Sequence, residues 1–274
     1  MKEVTNLLKL QMLANNYYRK GIPDSLKRNA FLNYFDLTPE KWKITYKAIH
    51  SLSNMEEFEI IEEDKPSFVF FNKWVLNDQG IKNLENIVYM LSKEKHIEYS
   101  PLFIHSVEIL LIYMPVEEAF WVAQKMMANS AKLLGDLKKR KYLRWHFTFT
   151  KADYFHMIGA FIQSYIDITY FKKRSIILRL QQIGYDISEL LDEMFKYFFT
   201  SFHRIDIVTD IFTNFVFDGV RVLFRFAYAS LKIHKEDIKA VETPKLVRDV
   251  FEYSCQYKTT WNYLHEMAFI YPLS

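Results

Sequence analysis

Arg221 and Arg225 stand one helical turn apart in the stretch Asp218–Leu231, so their guanidinium groups share one side of any helix that contains them. A stacked arginine pair can hold an anion through charge-assisted, forked hydrogen bonds. The plainer reading is a core helix whose arginines extend to water along their apolar stems. Further cations cluster at Arg19–Lys20, Lys27–Arg28, Lys138–Lys141 and Lys172–Arg174. The net charge of +3 is too small to point to nucleic acid, so these clusters read as solvated faces or local anion sites. The remaining side chains carry little recognisable chemistry. The chain has no GxxxxGK or GxGxxG phosphate loop and no GxSxG elbow, and its eight histidines show no HxxxH or HExxH spacing. Acid pairs such as Glu62–Glu63 and Glu117–Glu118 are adjacent in sequence and would point apart on a helix, which suits them poorly to general acid/base work. The lone Cys255 excludes an intramolecular disulfide and a thiolate-rich zinc site, and it lies in no nucleophile motif. No metal and no cofactor is expected. An ordinary small-molecule enzyme is not supported.

The elements that must carry these residues are read as helices. Half of the 274 residues are hydrophobic and 17% are aromatic, enough for a large core, while 6 Gly and 7 Pro are too few for the many turns of a β-protein. Apolar periodicity predicts helices at Thr5–Tyr18, Ser25–Phe35, Thr38–Ser51, Asp78–Lys93, Pro101–Tyr113, Val116–Met127, Lys151–Tyr165, Thr169–Gly184, Ser188–Ser201, Ile205–Phe217 and Asp218–Lys232, with a helical tail over Thr243–Met267. Asp24, Thr150 and Asp218 are the expected N-caps of their helices. Ser67–Trp74 is aromatic and expected to hold only short structure, and Asp136–Arg144 is a basic segment. The longest apolar run, Ile109–Val116, is broken by Pro115 and too short to span a bilayer. Met1–Gln11 lacks the pattern of a secretory signal, and the single cysteine fits a reducing compartment, so a cytoplasmic location is expected. The fold class expected is all-α.

Three stretches in one order resemble a known family. Gly21-Ile22-Pro23-Asp24-Ser25-Leu26-Lys27-Arg28 is similar to the opening of TBC domains, the Rab GTPase-activating fold. Tyr99-Ser100-Pro101-Leu102, followed by an apolar helix and Val116-Glu117-Glu118-Ala119-Phe120-Trp121, resembles that family's YxQG segment and its acidic AFW sequel. Phe217 to Arg225 looks like the EGxKVLxR helix near the end of the domain. The Tyr-Ser-Pro-Leu form is most similar to the Skywalker-like branch. The resemblance implies a two-lobed TBC domain over residues 16–236, with helical extensions at 1–15 and 237–274.

It also implies a mechanism. Active members insert an arginine, from IxxDxxR, and a glutamine, from YxQ, into the nucleotide site of a Rab-type small GTPase. Here Ile61 to Ser67 is the best match to the first motif, and its arginine slot holds Ser67; the glutamine slot holds Pro101. Serine brings no charge and proline neither an amide nor a backbone N–H. Lys65 or Lys73 could supply a cation but not the planar fork. The expectation is a TBC domain without the two fingers. What the branch implies in their place is a basic pocket for phosphoinositide headgroups, for which Lys27, Arg28, Arg221 and Arg225 are the candidates, with peripheral residence on vesicle or organelle membranes. The family's RIxD appears here as Asp210-Ile211-Phe212-Thr213, which removes one arginine from such a pocket. Two rivals stand beside this reading: a structural adaptor in a larger assembly, drawn from aromatics such as Tyr17, Tyr18, Trp42, Trp74 and Trp261, and an active Rab activator whose chemistry comes from residues outside the motifs.

Overall fold

The computed structural model describes residues 21–37, 76–134, 147–148, 150–172 and 175–270. Among them are twelve α-helices, one 3-10 turn and no strand, the all-α fold that the scarcity of turn residues predicts. The segments Thr5–Tyr18, Thr38–Ser51, Ser67–Trp74 and Asp136–Arg144 lie outside the described residues, as do Ser67, Lys65, Lys73, Tyr17, Tyr18, Trp42 and Trp74. The chain divides into two compact units: Pro23–Tyr154, and Met1–Ile22 together with Phe155–Ser274.

The unit Pro23–Tyr154 is built on α1 (Asp24–Tyr34), α2 (Asp78–Lys95), α3 (Pro101–Tyr113) and α4 (Val116–Leu134). The α3 helix is buried continuously from Pro101 to Leu110 and packs against α1, α2 and α4. Its almost unbroken apolar sequence requires neighbours on most sides, and the first ten residues have them. Asp24 does not cap α1. Pro23 occupies the N-cap and Asp24 is the first helical residue, where its carboxylate meets Lys27 one turn on, at 2.8 Å. Asn77 caps α2 by accepting from Gly80 N at 2.8 Å. Thr150 caps as the sequence predicts: its hydroxyl accepts from Asp153 N at 3.1 Å and Asp153 Oδ2 accepts from Thr150 N at 3.2 Å.

The second unit contains α5 (Lys151–Lys172, counted from Phe155), α6 (Ser175–Gln182), α7 (Ile187–Lys196), α8 (Ile205–Asp218), α9 (Arg221–Ile233), α10 (Lys235–Lys239), a 3-10 turn at Pro244–Leu246, α11 (Val247–Lys258) and α12 (Trp261–Phe269). Several boundaries differ from the periodicity. Gly184, at φ 76°, closes α6, and Tyr185 N returns to Leu180 O at 2.9 Å. α7 stops at Lys196 rather than Ser201 because Phe198 and Phe199 turn left-handed, at φ 47° and 65°. That conformation is costly for bulky residues. It puts both rings into the core, where Phe198 lies 5.4 Å from Phe215 and 5.7 Å from Phe212. Burying a phenylalanine yields about 2–3 kcal/mol, enough to offset such strain. The predicted tail helix is divided at Thr259–Thr260, both extended, with Thr259 Oγ1 held 2.7 Å from His234 Nε2.

The predicted helix Asp218–Lys232 starts three residues late. Asp218 is the last residue of α8, not the cap of α9. Gly219, at φ 82° and ψ −168°, makes the break, and Val220 takes the cap position without a side-chain bond. The apolar face is as expected, with Val220, Leu223, Phe224, Ala227 and Leu231 all buried. α9 and α12 then pack together through Phe226, whose ring is 5.5 Å from Trp261 and 6.0 Å from Phe269. Trp261 also meets the chain's early turn. Gly21 sits at φ 98°, and a Cβ there would come within 3.1 Å of the Trp261 indole nitrogen.

Candidate functional site

The sequence offers four cations and two finger slots as site residues. Lys27 and Arg28 sit on α1. Lys27 is 1% exposed. Its ammonium lies 2.8 Å from Asp24, donates to Tyr113 Oη at 3.4 Å and stands 5.2 Å above that ring. Tyr113 in turn donates to Asp24 at 3.1 Å. Arg28 addresses Glu118 with its fork: Nε donates to Oε2 at 2.6 Å and Nη2 donates to Oε1. Glu118 is buried in the first turn of α4, while Arg28 keeps one flank in solvent. The hydrogen bonds to Glu118 raise the guanidinium pKa further. Both cations therefore already serve carboxylates of their own unit. Sequence reasoning noted Glu118 only as one of two adjacent acids, poorly suited to general acid/base work. A pairing ninety positions away leaves no local signal.

Pro101 is the first residue of α3, where a missing N–H costs nothing, and it is buried. Ser100, at the cap, is 4% exposed, and its hydroxyl has no hydrogen-bond partner among the described residues. Tyr99 is fixed beside it: its carbonyl accepts from Thr148 Oγ1 at 2.9 Å and its ring meets Tyr154 edge-on at 5.1 Å. The Tyr-Ser-Pro-Leu motif is thus a framework element in its unit. Along the same helix Glu108 is 2% exposed, with His105 Nδ1 3.4 Å away, and burial pushes its carboxyl pKa up to about 9. Periodicity could not mark Glu108, because every position from Pro101 to Leu110 is buried alike.

Arg221 and Arg225 sit on α9. Arg221 is exposed at the start of the helix. Arg225, one turn on, is half-buried: Nη1 donates to Ala268 O at 3.3 Å and the guanidinium stands 5.4 Å over the Phe269 ring. Both contacts come from α12. The four cations thus divide between the units, two in each. In the altered RIxD stretch, Thr213 is fully buried and donates to Thr209 O at 2.8 Å, and Asp210 lends its carbonyl to Asn214 Nδ2 at 2.9 Å.

A part-buried polar network lies beside α9, unforeseen because its members are far apart in sequence. His203 Nε2 is 2.9 Å from Ser230 Oγ, and its Nδ1 has no partner among the described residues. Burial first, then His234 and Arg204 nearby, lower the His203 pKa to about 3. Asp237 collects Lys258 at 2.7 Å and Ser254 at 2.9 Å, and the hydrogen bond from Lys258 depresses its pKa. Cys255 is wholly buried, which pushes its thiol pKa well up and makes it a poor nucleophile. Among the described residues no three His, Cys, Asp or Glu side chains gather as a metal site, and no helix is long and apolar enough to cross a membrane.

Comparison with known proteins bears on this geometry. The family model of the Rab-GTPase-TBC domain matches residues 13–239. Among solved structures, the TBC domain of Skywalker/TBC1D24 from Drosophila melanogaster, in complex with inositol(1,4,5)triphosphate, superposes with a TM-score of 0.70 at 16% identity, covering 100% of this chain and 96% of that one. The Chlamydomonas flagellar RabGAP TBC domain gives 0.66 at 19% identity, covering 97% and 86%. At these identities the two structures show a common fold. No curated protein sequence matches the chain. The family match spans most of the chain, and the chain belongs to the Rab-GTPase-TBC domain family, a GTPase-activating family.

Proposed function

We propose that this TBC domain engages a Rab-type small GTPase without delivering the two catalytic side chains, and that it works in vesicle or organelle traffic as a binding module. The observation that carries the reading is at Pro101. The position matching the family's glutamine holds a residue with no amide, buried at the first turn of α3. A water-orienting residue must project an amide toward the partner's nucleotide, and proline has none. Ser67, in the arginine slot, has no charge to set against the phosphoryl group in the transition state. An arginine finger there accelerates hydrolysis on the order of a thousandfold or more. The decisive measurement is single-turnover GTP hydrolysis by a panel of Rab proteins with excess domain, read together with binding to the GTP-loaded form. The expected result is binding with acceleration below about tenfold. Acceleration of a thousandfold would establish an active GTPase activator whose catalytic groups lie elsewhere in the chain.

A second activity fits beside the first. The Skywalker/TBC1D24 TBC domain was crystallised with an inositol trisphosphate, and here Arg221 and Arg225 present guanidinium groups one turn apart on α9. We assign phosphoinositide headgroup recognition to that arginine pair, because forked guanidinium contacts suit phosphomonoesters, and leave Lys27 and Arg28 to the carboxylates they already serve. Flotation with vesicles containing phosphoinositide tests it. Binding should be lost when Arg221→Glu and Arg225→Glu are combined, and binding that survives both changes removes the assignment.

A further inference from the structure

We infer that α12 and a phosphorylated headgroup compete for Arg225, so that the C-terminal helix restrains the anion site. The inference rests on the headgroup reading above and adds its regulation. α12 lays a ladder of rings against α9: Trp261, His265 and Phe269 recur at every fourth residue, with neighbouring centroids 5.5 and 4.8 Å apart. Its C-terminal turn ends on Arg225. Residues there have no later helical N–H to satisfy all their carbonyls, and Ala268 O instead accepts from Arg225 Nη1 at 3.3 Å. The same guanidinium stands 5.4 Å above the Phe269 ring. Arg225 therefore supplies the positive charge that the negative end of the α12 dipole favours. A phosphomonoester brings a greater negative charge and asks for the same planar fork in a bidentate arrangement. Nη1 is already given to Ala268 O, so a phosphate that takes the Nη1–Nη2 edge of the guanidinium displaces the end of α12 and, with it, the seat over Phe269. Each ligand of Arg225, helix end or phosphate, must then weaken the other by the same factor.

The test uses the full chain and two probes that separate a free from a lipid-borne headgroup: soluble inositol 1,4,5-trisphosphate, and phosphatidylcholine vesicles with and without phosphatidylinositol bisphosphate. Phe269→Leu keeps apolar volume on α12 and removes the ring beneath the guanidinium. It should tighten binding by about two- to fivefold, the worth of one cation–π contact. In the wild-type chain, which needs no substitution, saturation with the probe should speed amide hydrogen exchange in 261–270 while the rest of α9 is unchanged or slowed. Tightening seen with both probes assigns the restraint to the phosphate chemistry, and tightening with vesicles alone assigns it to the lipid-borne headgroup. If Phe269→Leu leaves affinity unchanged or weakens it, and exchange in α12 does not respond, the competition is overturned; Arg225→Ala still lowering affinity at that point preserves the headgroup reading. If the wild type, Phe269→Leu and Arg225→Ala all fail to bind either probe, the headgroup reading itself has failed.

Discussion

Arg28 shows how little the type of a basic residue says before its partner is known. Its forked bond to buried Glu118 makes it a structural ligand of α4. Arg28→Ala would leave that carboxylate without a partner in a poorly solvated site. Since Arg28 itself is part-exposed, the expected loss is about 2 kcal/mol, less than for a fully buried pair. Thermal unfolding should register it, and adding Glu118→Met should recover part of the loss, because two apolar groups restore packing where one orphaned charge cannot. Two buried titrating groups set opposite limbs of the pH profile. Glu108 has a folded pKa near 9 against an ordinary value of 4.5, so its contribution is whole below pH 4.5 and is lost as pH rises toward 9. His203, with a folded pKa near 3 against 6.5, contributes fully above pH 6.5 and loses stability as the medium acidifies toward 3. Glu108→Gln should therefore flatten the alkaline limb, which otherwise slopes by about 1.4 kcal/mol per pH unit, and leave the acid limb in place. Denaturant unfolding between pH 5 and 9 measures this. An unchanged alkaline limb in the variant would show that Glu108 is ionised in the fold.

At the scale of the element, helices with a regular apolar face were legible and their ends were not. Pro101–Tyr113 is read to the residue, because Pro101 starts it and a Met-Pro pair follows it. The α8–α9 junction is read three residues out. Asp218 looks like a cap in sequence, but the glycine after it reverses the chain before any helix can begin. Gly219 holds a backbone region that side chains with a Cβ avoid, with φ 82° and ψ −168°. Gly219→Ala is expected to cost about 1–3 kcal/mol, a depressed melting temperature with little change in helix content. If the variant melts with the wild type, the junction is more pliant than its torsions imply. α7 fails to reach Ser201 for a reason no propensity records: Phe198 and Phe199 are drawn out of helical geometry by the hydrophobic space beside α8.

Across the whole molecule, the class of fold was open to reading because composition and three ordered motifs agree. The details of the site were less so. Arg221 and Arg225 could be placed on one helix from their spacing alone, yet nothing in their neighbourhood of sequence announces Ala268 or Phe269, and the same holds for Glu118 opposite Arg28. Long-range partners are chosen by the tertiary arrangement, which periodicity does not encode. The division of the chain has a consequence of its own. Pro23–Tyr154 is one continuous piece, whereas its companion is assembled from Met1–Ile22 and everything after Phe155. On the ribosome the continuous piece can mature as soon as Tyr154 clears the exit tunnel. Gly21 is translated about 240 residues ahead of Trp261, so its turn cannot find its place until α12 has been made.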